Sequence, residues 1–280
     1  GYKKNLVLGN LVTKINHNGK KGDTIHIPAP VRGSANAKVA DTQVVLQGDT
    51  HSVVNLSINK HYEYSVVIED IVEVQALSSL RRFYTDDAGY ALATQVDNDL
   101  FTICEGLQGG TVGGSGAALW EKAVIGGDGT TLFTGNSSND SDITDAGIRK
   151  MILTLDNADV PMDGRFMIIP PIAANDMLGI NRFTEQAYIG NGQAIQTGKI
   201  GSIYGIDVYV SSNCPTIESG AARVGVMMHK DALALVEQMG VRSQTQYKQE
   251  YLGDLFTSDT LYGVGELRDT AGVAFVVPAT

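Results

Sequence analysis

The 280-residue sequence has few cysteines and no long apolar run. Cys104 and Cys214 have no CxxC or CxxH spacing around them, which argues against a structural zinc site and a disulfide framework. The longest clear apolar run, residues 273–277, is far shorter than the roughly 18 residues that span a bilayer, and the apolar stretch 6–8 is too short for a signal peptide. We therefore expect a protein that is made in a reducing cytoplasm and has no membrane partner.

Positive charge is also scarce. The formal net charge is −10 and the pI is near 4.9, which argues against a surface built to grip phosphates. Residues 1–38 contain seven Lys or Arg and only Asp23 as an acid, so they carry +6 and leave −16 for residues 39–280. This basic arm is either a solvated tail or a segment that docks on an acidic neighbour.

Two segments come close to catalytic motifs and fail. Ser115 lies in a glycine-rich stretch that is one residue short of the GxSxG nucleophile elbow, and a glycine loop precedes it where an elbow needs a core strand. Residues 192–199 contain a Gly-Lys pair, but five residues separate the glycines instead of four, and Ile200 stands where a phosphate loop needs a hydroxyl. We interpret both segments as turns or surface loops.

Neither histidines nor acids form a metal motif. The histidines are His17, His26, His51, His61 and His229. No two of them have helical i, i+4 spacing. The acid-rich run contains Asn136, Asn139, Asp140, Asp142 and Asp145. It lacks the glycine and terminal glutamate of an EF-hand loop, and capping of the following helix by Ser141 or Asp142 explains it. We therefore predict no catalytic, cofactor-binding or metal-binding residues.

The first half of the chain shows two strong periodicities. Residues 54–68 alternate strictly between apolar and polar, which predicts one half-buried strand of about 50 Å. Its predicted partner is 23–31 or 43–47, joined through 32–41 to form an extended hairpin. Apolar residues then recur at three and four positions, which predicts a long helix with a break or kink near Gly89 that ends by Gly106 or Gly109.

The second half predicts a mixed layer of sheet and helices. A long loop, 106–140, with Trp120 and Val124 as anchors, precedes a helix through Met151 and Leu155. The predicted strands are 166–169, 206–210, 224–228 and 273–277. The predicted short helices are 173–180 and 231–236.

The order of these elements resembles the major capsid proteins of tailed double-stranded DNA bacteriophages, the Hong Kong 97 type of α+β fold. The phrases GSIYGIDVYVSSNCP and GDLFTSDTLYGVGELRDTAGVAFVVP, at 201–215 and 253–278, contribute to the likeness. On this resemblance the regions are an N-terminal arm (1–22), an extended hairpin loop (23–67), a peripheral domain with the spine helix and Gly-rich loop (68–139), an axial domain (140–240) and returning peripheral strands (241–280).

The resemblance implies a structural protein that is not an enzyme. Such subunits assemble as hexamers and pentamers into an icosahedral shell around the genome, made in the host cytoplasm, with a scaffolding protein, a portal and in some cases a decoration protein. We expect the hairpin and the basic arm to lie on neighbouring subunits, and DNA to be contacted without sequence specificity. Some relatives join a loop lysine to a C-terminal asparagine by an isopeptide bond. Lys38 could supply the amine, but residues 214–280 contain no asparagine.

Three other interpretations stay open. An encapsulin has the same shell fold with a protein cargo, and sequence alone discriminates it poorly. An α/β enzyme would have to use Ser115 or residues 192–199. A phage tail or adhesion protein would explain the strand-rich start but not the long helix.

Overall fold

The computed structural model describes residues 6–30, 33–46, 48, 51–75, 80–110, 122–133, 140–180 and 201–280. The helices in this part of the chain are α1 (Leu8–Leu11), α2 (Asp70–Gln75), α3 (Leu80–Cys104), α4 (Asp145–Asn157) and α5 (Pro171–Leu178). The strands are β1 (Thr13–Asn16), β2 (Thr24–Pro30), β3 (His51–Ser57), β4 (Lys60–Glu69), β5 (Val124–Ile125), β6 (Arg165–Ile169), β7 (Ser202–Ile203), β8 (Ile206–Val210), β9 (Thr216–Ile217), β10 (Ala222–His229), β11 (Leu233–Lys248), β12 (Gly253–Glu266) and β13 (Gly272–Pro278).

A four-stranded sheet of order β1-β11-β12-β4 carries the long helix α3. β1 runs parallel to β11, and the other pairs are antiparallel. Leu92, Val96 and Leu100 of α3 recur every four residues and are buried, and Val96 and Leu100 belong to the main core, so one stripe of the helix faces inward. Nearer the start of α3, Ala88 packs with Phe256 of β12.

The predicted helix is confirmed at its end but not at its break. α3 ends at Cys104, just before Gly106. It runs continuously through Gly89, which is buried, so the predicted break is absent, and a kink at this position stays a prediction. A helix interior tolerates a glycine at a cost of about 1 kcal/mol, and neighbouring packing can offset that cost.

A second sheet of order β5-β13-β10-β6-β8-β7, with β9 beside β10, carries α4 and α5. Its strands at 166–169, 206–210, 224–228 and 273–277 were predicted and are confirmed, as are α4 and α5. All five residues of β6 are buried, which suits a strand covered on both faces. The cap of α4 is Thr144, whose hydroxyl accepts from Gly147 N at 3.3 Å, instead of the predicted Ser141 or Asp142.

The single long strand predicted over 54–68 is wrong. The chain forms two strands that are separated by Ile58 and Asn59 and have different partners. β3 pairs with β2, as predicted for the first alternative, whereas β4 pairs with β12. Both halves have one face toward water, so the alternation continues across the interruption and hides it.

Two other predictions are corrected. The helix predicted at 231–236 is a single 3₁₀ turn, Lys230–Ala232, followed by β11. Residues 233–236 are fully buried between β1 and β12, so they lack the alternation of a half-buried strand. The loop predicted at 106–140 contains β5, which anchors Val124 beside β13, while Trp120 lies outside the described residues.

Candidate assembly surfaces

The hairpin β2–β3 ends in an exposed loop that carries apolar side chains. Seven residue pairs join its strands, from Thr24 opposite Ser57 to Pro30 opposite His51. Residues 33–46 are all exposed, and the exposed fractions of Val45 and Leu46 are 74% and 85%. We call residues 33–46 the hairpin tip. Apolar groups held this far from a core contribute nothing to the subunit's own burial, and they favour a surface that a partner covers.

The base of the hairpin sits in a seat on the four-stranded sheet. Leu56 and Ile58 are buried in a small cluster with Ala234 and Val236 of β11. Glycines in β12 leave room for this contact. A Cβ at Gly263 would overlap the Ser57 carbonyl oxygen, and a Cβ at Gly265 would overlap Leu56 Cδ2.

A second exposed apolar surface lies at the far end of the same sheet. It consists of Ile71, Val72 and Val74 of α2 together with Tyr251 and Leu252 of the turn between β11 and β12, and we call it the distal patch. Asp70 N donates to Leu252 O at 3.0 Å, which joins the two elements. The chain thus presents apolar groups at two separate extremities.

Polar contacts hold the distal end in place. Arg81 of α3 hydrogen-bonds to Asp254 and lies 3.7 Å from Glu73 of α2. The Tyr247 hydroxyl donates to Asp70 Oδ2 at 3.0 Å, and this bond raises the pKa of Tyr247. These bonds link α2, α3 and both long strands, so they support a fixed surface.

Tyr64 fastens β4 to the long helix. Its hydroxyl donates to Asp87 Oδ2 at 2.7 Å, and this bond raises the pKa of Tyr64 to about 12. The phenol therefore stays protonated over the whole physiological range and keeps its donor role.

An ion-pair network lies on the face of the four-stranded sheet that is opposite to α3. Arg242 of β11 donates to both carboxylate oxygens of Asp259 in β12, at 2.7 and 2.9 Å, and His61 Nε2 lies 3.0 Å from Asp259 Oδ2. The Arg242 hydrogen bond, followed by that of His61, lowers the pKa of Asp259. The three side chains tie β11, β12 and β4 together across the sheet.

The N-terminal segment is held by a buried carboxylate. Asp97 of α3 is fully buried and accepts from the backbone N–H groups of Val7 and Gly9, each at 2.9 Å. Burial raises the pKa of Asp97, and the bonds from Val7 and Gly9 act in the opposite direction. Residues 6–17 therefore pack on their own chain, and contact of the basic arm with a neighbouring subunit stays a prediction.

The structure separates the histidines that the sequence singled out. His26 Nδ1 lies 2.5 Å from Asn55 Oδ1 on the hairpin, and His61 lies beside Asp259. His229 is buried, with Nε2 2.9 Å from the Asp163 carbonyl oxygen. His17 follows β1, and His51 begins β3. Within the described residues, no three His, Cys, Asp or Glu side chains are grouped so that they could hold a metal ion.

Most of the other sequence candidates lie outside the described residues. These are Ser115, residues 192–199, Asn136 and Asn139. Asp145 is described, and it accepts from Arg149 Nε at 3.0 Å on α4. None of the helices in the described part of the chain is long and apolar enough to cross a membrane.

Sequence reasoning missed two features that position these surfaces. The signal for Asp97 was an acid next to Val96 on the apolar stripe of a helix, where a charge needs buried partners. The signal for the hairpin seat was the spacing of Gly263 and Gly265 within a strand, which often marks close approach of another segment.

A comparison with protein families gives one match over most of the chain. A profile of the family described as phage capsid protein matches residues 63–276. A search of curated proteins finds no match.

Solved phage structures share the fold over nearly the whole chain. A structure from Mycobacterium phage Che8 is 23% identical, with a TM-score of 0.75, covering 96% of this chain and 90% of that one. The capsid of Cyanophage P-SCSP1u is 18% identical, with a TM-score of 0.73 and coverages of 98% and 89%. The acid-stable capsid of Helicobacter pylori bacteriophage KHP30 is 12% identical, with a TM-score of 0.67 and coverages of 96% and 88%.

Proposed function

Because this chain belongs to the phage capsid protein family and has the Hong Kong 97 type of fold, we propose that it assembles as hexamers and pentamers into an icosahedral shell that encloses a double-stranded DNA genome. The predicted α+β fold and the predicted family are thereby confirmed, and the chain is a structural component of the virion. Its arrangement into capsomers and its enclosure of DNA are the proposal.

The observation that carries the proposal is a pair of exposed apolar surfaces, one on the tip of the two-stranded hairpin and one at the end of the four-stranded sheet that lies away from the hairpin base. The hairpin tip and the distal patch each expose several large apolar side chains. Two different surfaces on one chain allow head-to-tail contacts between copies, and such contacts close into rings when the rotation between copies permits. Rings of subunits are what capsomers require.

The negative net charge favours a protein shell that does not bind tightly to the DNA that it encloses. Residues 39–280 carry a net charge of −16, so packaged DNA would meet a mostly repulsive surface and would be contacted without sequence specificity. A scaffolding protein, a portal and a decoration protein are further proposed partners, and synthesis in the host cytoplasm is proposed with them.

The division into regions is a proposal that the strand pairing helps to refine. Arm, extended loop, peripheral domain, axial domain and returning strands were placed at 1–22, 23–67, 68–139, 140–240 and 241–280. Since β13 pairs with β10 and β5, we propose to place 272–278 with the axial strands. Since β11 pairs with β12 along its whole length, we propose to place 233–240 with the peripheral sheet.

The family and the structural neighbours support a structural role over an enzymatic one. An encapsulin shell would have the same subunit architecture and would differ in its cargo. A tail or adhesion protein would explain the strand-rich start but would leave the long helix α3 unexplained.

Sedimentation of the purified chain over a range of concentrations tests the proposal. Many modest contacts summed over a closed shell predict a steep onset of large particles that persist after dilution. Absorbance at 260 and 280 nm then separates packaged DNA from protein cargo. A chain that sediments as a monomer or dimer at every concentration and salt condition contradicts the proposal.

A further inference from the structure

The N-terminal segment, residues 6–22, is held against the main core at its first residues. Leu6 and Leu8 are buried in the main core, and Asp97 accepts from Val7 N and Gly9 N. This carboxylate satisfies N–H groups at the start of α1, which has no side-chain cap of its own. An uncompensated buried charge is costly, so the bonds work in both directions: the segment needs the carboxylate and the carboxylate needs the segment.

The same segment is fixed again just before the hairpin. Gln238 of β11 donates through Nε2 to the carbonyl oxygens of Lys20 and Gly22, each at 2.9 Å. Ile58 N donates to Asp23 O at 2.7 Å, which closes the base of the hairpin. Between these two ends, β1 pairs with β11 over only four residues.

The segment also meets the hairpin base in one hydrophobic cluster. Ile15 of β1 and Ile25 of β2 both pack against the small cluster that contains Leu56 of β3. The hairpin base therefore lies against β12 at Gly263 and Gly265, and it shares a hydrophobic cluster with the N-terminal segment.

From these contacts we propose that residues 6–22 form a strap that sets the direction in which the hairpin leaves the body, with Asp97 and Gln238 as the positioning residues at its two ends. A hairpin whose base is not held would adopt many orientations relative to the four-stranded sheet. If most of these orientations are already excluded in the free subunit, less conformational entropy is lost when the tip docks on a partner. The inference rests on the proposed function for its purpose, because a fixed hairpin is what a regular shell needs. Its test, however, uses the single unassembled chain.

The experiment measures the distance between the hairpin tip and the sheet by double electron–electron resonance. Nitroxide labels are placed on Ala35→Cys and Gln246→Cys, both at exposed positions of the full chain. Cys104 and Cys214 are buried, and burial raises the pKa of both thiols, that of Cys214 to about 12, so they resist labelling. Hydrogen exchange at the Val7 and Gly9 amides reports on the first end of the strap in the same samples.

The variants separate the two ends. Gln238→Ala should widen the distance distribution about twofold and leave exchange at Val7 and Gly9 unchanged. Asp97→Asn and Asp97→Ala should widen the distribution and also speed exchange at Val7 and Gly9 by about tenfold or more. Gln244→Ala, which removes an exposed glutamine from the same strand, is the matched control and should change neither quantity.

The proposal is overturned if exchange at Val7 and Gly9 rises in the Asp97 variants while the distance distribution keeps its parental width. It is equally overturned if Gln238→Ala leaves that width unchanged. Should Asp97→Ala fail to fold, Asp97→Asn, which keeps the shape of the side chain, decides the role of position 97. Failure of the parent to form shells would count against the proposed function and leave the distance result intact.

Discussion

Gly265 of β12 lies directly against Leu56 of the hairpin, so closely that a single added carbon at position 265 would overlap Leu56 Cδ2. Two residues earlier in the strand, Gly263 faces the carbonyl oxygen of Ser57 and Cα of Ile58 in the same way. The two glycines differ in what opposes them. Leu56 presents the end of a flexible side chain, whereas Ser57 and Ile58 present backbone.

We therefore expect Gly263→Ala to be more damaging than Gly265→Ala. A side-chain end can rotate away, but backbone that is fixed by pairing cannot, so overpacking at 263 should lower the free energy of unfolding by about 1–3 kcal/mol and that at 265 by less. Urea unfolding of both variants checks the order. Gly240→Ala, at a glycine with open space around it, is the control, and equal loss in the 263 and 265 variants would contradict this description of the seat.

Deletion of residues 33–40 should leave a folded, soluble subunit that fails to build normal shells. The removed residues are exposed and contribute nothing to the core. Circular dichroism melting should match that of the parent, while electron microscopy should show few or no regular particles. A deletion that unfolds the subunit would show that the tip belongs to the core. A milder version, Val45→Ser with Leu46→Ser, removes apolar surface without shortening the loop and should also impair assembly.

The Asp259 network should make the free energy of unfolding depend on pH. Because the Arg242 hydrogen bond lowers the pKa of Asp259 below its ordinary value of 3.8, the network stabilises the fold above that value. This stability is lost as the pH falls through the lowered folded-state pKa. Arg242→Gln should therefore reduce the loss of stability between about pH 6 and about pH 3. Arg82→Gln, which removes an exposed arginine from α3, should retain the parental dependence. Identical pH profiles for Arg242→Gln and the parent would exclude this role.

The shell should be held together without covalent links between subunits. Lys38 lies on the exposed hairpin tip, where its ammonium donates to Val39 O at 2.8 Å. Residues 214–280 contain no asparagine to receive an attacking amine. Gln244, Gln246 and Gln249 carry the same amide, but each adds a rotatable bond that works against near-attack geometry. Boiled, reduced particles should run as one band near 29.8 kDa, and a ladder of larger bands would refute the inference.

Much of the fold could be predicted because its elements have strong periodicity. The strands of the second sheet and the helices α4 and α5 follow from short apolar runs and from residues such as Met151 and Leu155 on one helical face. The order of elements then allowed the family to be recognised. These signals are local, so they survive without knowledge of what packs where.

The errors share a different cause, which is that pairing partners are not written in local periodicity. Residues 54–68 keep one apolar and polar alternation, although the first part of this segment pairs with β2 and the second part pairs with β12. Only this long-range pairing divides the segment into two strands. Residues 233–236 are buried on both faces, so their pattern could not distinguish strand from helix. The docking of residues 6–17 depends on Asp97, which is 90 positions away from Val7 in the chain.

Electron microscopy of the purified, unmodified chain tests the central claim most directly. The proposed function predicts closed, regular particles with rings of six and five subunits on their surface, and a hairpin of one subunit lying over the next. A chain that yields only monomers, small oligomers or irregular aggregates under every condition tried, while it remains folded, would contradict it.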